Sequence, residues 1–135
     1  MASKPETNFT RRITKLLPDS IYHMKNNNMY VGGVPDLWLS GNKADLWCEM
    51  KYIKPLPVSV PIRPAKLLSA LQMEWLNSRY DQGRHIAVII GCEAGGVILQ
   101  NKEWEKDIPI ERFKSILKSP RDLADWIKEQ ITKSE

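Results

Sequence analysis

The stretch "PDLWLSGNKADLWCEMK", residues 35 to 51, sets Asp36, Glu49 and Lys51 on two apolar runs rich in tryptophan and leucine. Both runs read as strands, and the "GNKA" between them has the Gly and Asn of a hairpin loop. Side chains alternate faces along a strand, so Trp47, Glu49, Lys51 and Ile53 share one face, opposite Leu46, Cys48, Met50 and Tyr52. With Gly41 to Ala44 as the loop, Ser40 faces Asp45, and four steps back along each arm Asp36 faces Glu49. Opposed side chains have Cβ atoms about 5 Å apart, a position in which like charges destabilise the sheet. A hard divalent cation removes that objection by accepting oxygens from both carboxylates. Mg²⁺ binds one or two carboxylates and completes its shell with water and phosphate oxygens. Lys51 would then act on the attacking water or neutralise charge growing on the phosphate. The competing expectation is structural, with Asp36 solvated at the start of a strand and Glu49 and Lys51 forming an exposed ion pair of little value. Spacing alone leaves both open, because a one-residue change in the loop turns Asp36 to the other face.

The elements around the hairpin follow from periodicity and punctuation. Residues 4 to 17 place Phe9, Ile13, Leu16 and Leu17 at helical spacing, and Pro18-Asp19 stops the helix. Glu6 is three residues before Phe9 and seven before Ile13, on the inward stripe, although Ser3-Lys4-Pro5-Glu6 also fits a capping box. Residues 20 to 31 carry β-formers on both sides of "NNN", which predicts one or two short strands. The four prolines of "KPLPVSVPIRP", residues 54 to 64, exclude a central strand and make a stiff crossing loop. Leu68, Leu71, Trp75 and Leu76 predict a helix from Ala65 to Gln82, closed by Gly83 at C′. "HIAVIIGC" is a continuous apolar run, as in a strand buried on both faces, and "EAGG" turns it into "VILQ". Ser119 as N-cap and Pro120 at N1 open a last helix carrying Leu123, Trp126, Ile127 and Ile131. The order is helix, strands, helix, strands, helix.

A chain of 135 residues suits one domain, with a core over about 5 to 100 and a helical extension over about 101 to 135. Twenty basic against sixteen acidic residues, net charge +4, permits a polyanionic partner without demanding one. Arg11, Arg12 and Lys15 on the first helix, with Lys54, Arg63 and Lys66 around the proline loop, flank the hairpin and are the candidate phosphate contacts. No module of direct base readout is visible, so recognition by backbone shape is expected. Cys48 and Cys92 lie in apolar runs and, with His23 and His85, lack the close pairings of a zinc site, so buried thiols are expected. The start "MASKPETNFT" has no apolar signal region and no stretch reaches the roughly 20 apolar residues of a membrane span. An intracellular protein, in a bacterial or phage setting, is expected.

"VPD" followed after a hairpin by "EMK" resembles the P-D…(D/E)-x-K signature of the PD-(D/E)XK nuclease superfamily. Its fold is an α/β restriction-endonuclease-like αβββαβ core, a central mixed sheet flanked by helices, here with an extra C-terminal helix. "GGVPDLWL", "CEMKYIK" and "LSALQMEWLNSRYDQGRHIAVIIG" are similar to the VRR-NUC and Holliday-junction-resolvase-like branch, whose second core helix carries a glutamine. The resemblance implies Asp36 and Glu49 as metal ligands, the Met50 backbone carbonyl as a third, and Lys51 as the catalytic lysine. It implies Gln72 as the helix glutamine near the site, against the plain reading of a solvated helix edge. The superfamily often adds an acid from the first helix, which makes Glu6 a further candidate ligand beside its capping-box reading. The activity so implied is Mg²⁺-dependent cleavage of DNA, with Mn²⁺ as a substitute, structure-selective and endonucleolytic, by a homodimer that cuts two strands. Restriction-type or exonuclease action on the same site, and a non-catalytic nucleic-acid-binding module on the nuclease fold, are the alternatives.

Overall fold

The computed structural model describes residues 4–26 and 32–133. Helix α1 (Lys4–Thr14) buries Phe9 and Ile13. It ends three residues earlier than the periodicity predicts: Leu16 and Leu17 donate instead to Ile13 and Thr14, tightened i→i+3 bonds ahead of Pro18. Strand β1 (Tyr22–Lys25) follows. The second strand expected near the asparagine run, and Ser3 of the capping box, lie outside the described residues. The hairpin forms as β2 (Leu37–Ser40) and β3 (Asp45–Tyr52), with Leu37 opposite Cys48, Trp38 opposite Trp47 and Ser40 opposite Asp45. Gly41 N–H donates to the Ala44 carbonyl across the loop at 3.0 Å, so the four-residue turn holds the expected register.

After the proline-rich segment the expected single helix is two. Helix α2 (Pro64–Leu67) stops at Leu68, and α3 (Ala70–Asp81) restarts behind Ser69. The break has a local cause, since Leu68 and Ser69 are extended and Ser69 caps the new helix. It also turns Leu71 outward, 58% exposed, where the periodicity puts it in the core. Gly83 sits at C′ of α3 with φ +76°, its N–H on the Tyr80 carbonyl and that of Arg84 on Arg79, the paired bonds of a Schellman end. Strand β4 (Ile86–Cys92) is buried along its whole length, and β5 (Gly95–Leu99) starts two residues before the expected "VILQ". A 3₁₀ turn (Glu103–Glu105) and α4 (Ile110–Ser115) occupy a segment the sequence left unassigned, and α5 (Pro120–Ile131) opens with Ser119 capping Asp122 N–H.

The five strands form one mixed sheet in the order β1-β2-β3-β4-β5, with β3 and β4 parallel and the other neighbours antiparallel. One face, with Leu37, Leu39, Leu46, Cys48, Met50, Ala87 and Ile89, packs on Phe9 and Ile13 of α1 and Leu123, Ile127 and Ile131 of α5. The other, with Val88, Ile90, Val97 and Leu99, packs on Leu76 of α3, Trp104 of the 3₁₀ turn and Phe113 of α4, with Trp47 and Trp75 at its margin. Coverage on both sides is why β4 reads as unbroken apolar sequence. Trp104 is fully buried, and its indole N–H donates to Asn77 Oδ1 at 2.8 Å, which ties the segment after β5 to α3.

Candidate active site

The site is built where β2 begins and β3 runs beneath the first turn of α3. Asp36 immediately precedes β2, one step beyond the Leu37–Cys48 pair, which brings it level with Glu49. Its Oδ1 accepts from the Met50 backbone N–H at 3.3 Å. Glu49 is 3% exposed, one of two buried polar or charged residues among those described. That disposes of the exposed ion pair entertained above. The Glu49 carboxylate is not orphaned: Gln72 Nε2 donates to its Oε1 at 3.2 Å.

Gln72 reaches Glu49 because its own amide is held. Its Oε1 accepts from the Ser69 backbone N–H at 2.9 Å, while its backbone N–H donates to Ser69 Oγ at 3.1 Å, a complete capping box. The amide therefore points its oxygen at the helix N-terminus and its nitrogen at the carboxylate. The loop leading to Asp36 lies against the same turn. Gly33 has φ +86°, and a Cβ there would fall 2.3 Å from the Leu71 carbonyl oxygen, so only glycine lets the two backbones approach this closely.

The electrostatics are those of acids brought together out of water. Burial, then the neighbouring Asp36, pushes the Glu49 carboxyl up to about 8, with Glu6 adding to the shift and Lys51 and the Asp36 backbone N–H opposing it. Asp36 is raised by burial, against the lowering effects of backbone hydrogen bonds, Lys25 and Lys51. Glu6 is raised by burial and by Asp36, with Lys51 and Lys25 opposing. Glu6, Asp36, Glu49 and Lys51 thus lie within one electrostatic neighbourhood. Lys25 belongs to it too, although nothing in its spacing linked it to the hairpin. It reaches across to α1, where its Nζ donates to Thr7 Oγ1 at 3.3 Å. The sequence offered only that it lies in a segment of β-formers; the pairing of that strand with β2 comes from the fold. Cys48 is fully buried, and burial, Asp36 and Glu49 all raise its thiol, so it stays protonated and apolar in character.

The donor set suits a hard cation. Two carboxylates level with each other, one buried, are mutually unfavourable as anions and become favourable around a divalent ion. Among the described residues no group of three or more His, Cys, Asp or Glu side chains is arranged to hold an ion. The fit rests on Asp36 and Glu49, the one or two carboxylates that Mg²⁺ commonly takes from a protein. Arg11, Arg12, Lys15, Lys54, Arg63 and Lys66 are all exposed. Among the described residues, Arg63 differs from the other five in having an acidic partner, with its Nε 3.4 Å from Asp107 Oδ2. No helix among the described residues is long and apolar enough to cross a membrane.

The fold is that of a nuclease-like α/β domain, a mixed five-stranded sheet flanked by helices. It is similar to the solved structure of Hjc from Archaeoglobus fulgidus, a Holliday junction resolvase from an archaeal hyperthermophile, with a TM-score of 0.57 and 16% sequence identity over 94% of this chain and 98% of that one. At that identity the likeness is one of fold. No family profile matches the chain, and no curated protein sequence does.

Proposed function

We propose that the chain is a divalent-metal-dependent DNA endonuclease of the PD-(D/E)XK superfamily, in its VRR-NUC and Holliday-junction-resolvase-like branch, and that it is selective for branched DNA. The observation that carries this reading is the buried Glu49 level with Asp36, bonded to Gln72, with Lys51 two residues on along the same strand face. A carboxylate in that position costs stability as an anion, and a catalytic cation site gives it a reason to be there. Asp36 and Glu49 would hold Mg²⁺, or Mn²⁺ in its place, with the Met50 carbonyl and Glu6 as further donors. When bound, the cation supplies electrophilic stabilisation of phosphate charge and acidifies water. Lys51 neutralises charge that develops on the phosphate, and Gln72 holds the Glu49 oxygen in place.

DNA would run over the exposed cations of α1 (Arg11, Arg12, Lys15) and those flanking the proline loop (Lys54, Lys66), with Arg63 shared with Asp107. Cutting two strands of a junction needs two sites, so the active form is a homodimer. The test is incubation with labelled linear, nicked, flap and four-way DNAs in Mg²⁺ and in chelator. Preferential, chelator-sensitive cutting of the four-way substrate supports the proposal. Cutting of one linear sequence or from ends would show restriction-type or exonuclease action instead. Binding without any cutting would leave a nucleic-acid-binding module.

A further inference from the structure

We infer that the first turn of α3 is the positioning device of the carboxylate pair, and that its working part is the backbone N–H of Ser69. The inference rests on the nuclease reading of Asp36 and Glu49 and adds a residue outside the P-D…E-x-K signature. A glutamine amide can present either end to a neighbour, and the wrong end would set its carbonyl oxygen against the Glu49 carboxylate. Here the choice is made by Ser69, whose N–H engages Gln72 Oε1 at 2.9 Å and leaves Nε2 to donate to Glu49 Oε1 at 3.2 Å. The same bond keeps the Gln72 oxygen from serving as a ligand. One turn therefore orients Glu49 through Gln72, and it bounds the Asp36 loop where Gly33 lies on the Leu71 carbonyl. Ser69 is a positioning residue. It touches neither carboxylate and acts through the glutamine, as outer partners of ligating groups do.

The backbone supplies a discriminating variant. Ser69 has φ −73° and the preceding Leu68 is extended at φ −93°, ψ 140°, so proline fits at position 69 without moving the chain. Ser69→Pro removes both the hydroxyl cap and the N–H that locks the amide, whereas Ser69→Ala removes the hydroxyl alone, so the difference between them isolates the N–H. The readouts are Mn²⁺ affinity of the full chain by calorimetry, below the melting temperature of every variant, and kcat and KM on the best DNA substrate. Ser69→Pro should weaken Mn²⁺ binding about tenfold and lower kcat by about as much, with KM for DNA little changed, while Ser69→Ala costs at most about twofold in each. Gln72→Met should match Ser69→Pro, and the two together should be no worse than either, because they break one path. Equal effects of Ser69→Pro and Ser69→Ala, or additive effects of Ser69→Pro and Gln72→Met, overturn the inference. Should Ser69→Pro not fold, Gln72→Met decides alone, and wild-type Mn²⁺ affinity in that variant overturns it. A wild type that binds Mn²⁺ but cuts no DNA refutes the nuclease reading, and the Mn²⁺ affinities then still decide the role of Ser69. A wild type that binds no Mn²⁺ refutes both.

Discussion

Replacing Glu49 by glutamine tests the electrostatic account of the site most directly, because the amide keeps the shape and the acceptor for Gln72 Nε2 while removing the charge. In the metal-free wild type the folded protein holds a proton on Glu49 up to about pH 8, against 4.5 for the ordinary carboxyl. A carboxyl raised on folding stabilises the native state below 4.5 and loses that contribution as pH rises through the folded value, since the unfolded chain releases its proton first. At about 1.4 kcal/mol per pH unit the interval from 4.5 to about 8 sets a ceiling of about 5 kcal/mol. Asp36 shifts in the same direction and shares the loss, so we expect a decline on the order of 2 to 4 kcal/mol between pH 5 and pH 8. Glu49→Gln cannot titrate there. At pH 8 in chelator it should be the more stable protein, by on the order of 2 kcal/mol, or roughly 6 to 10 °C in Tm for a domain of this size. Excess Mg²⁺ should reverse the order, raising the wild type by about 2.7 kcal/mol at one hundred times Kd and leaving the variant unmoved. Thermal melts at several pH values with and without Mg²⁺ measure all of this. A metal-free wild type equally stable from pH 5 to pH 8, or a glutamine variant less stable than wild type at pH 8, would refute the claim that Glu49 is held at a cost that a cation offsets.

Three further outcomes follow from the same geometry. Asp36→Asn keeps an oxygen for the Met50 N–H and removes one like charge, so its metal-free stability should match or exceed wild type by up to about 1 kcal/mol while cleavage disappears; a clearly less stable variant with an intact Mg²⁺ response would make Asp36 structural. Lys51→Ala should cut kcat by two or more orders of magnitude and leave DNA affinity nearly intact, since Lys51 is one cation among many in the footprint; wild-type cleavage would remove its catalytic role. Lys54→Ala with Lys66→Ala should weaken binding alike across DNA sequences and flatten the salt slope by about 2, while Arg63→Ala, already facing Asp107, should add less; an unchanged slope measured by fluorescence anisotropy would put the DNA elsewhere.

What the sequence determined by itself was whatever depends on neighbours a few residues away. The four-residue "GNKA" loop and strict alternation offered the Ser40–Asp45 register with Asp36 level with Glu49, and the Gly41–Ala44 bond across the turn selects it over the one-residue shift that spacing left open. The same holds for Ser119 and Pro120 at the start of α5, for Gly83 closing α3, and for β4, whose two covered faces leave only apolar residues. Tertiary structure decided the rest, because the deciding forces act between segments far apart in the chain. The break before Ser69 is itself local, a cap that apolar periodicity overlooked, but where the restarted helix lies is tertiary. That restart sets the Gln72 amide over a carboxylate 23 positions earlier. Lys25 gained its place only when β1 paired with β2 beside α1, and Arg63 met Asp107 only when Ile62 bridged to Ile108. The near-complete burial of Glu49, on which the functional reading turns, is likewise invisible in the local pattern. A strand that alternates faces says which side a carboxylate takes, and only the packing of α3 on that side excludes water from it.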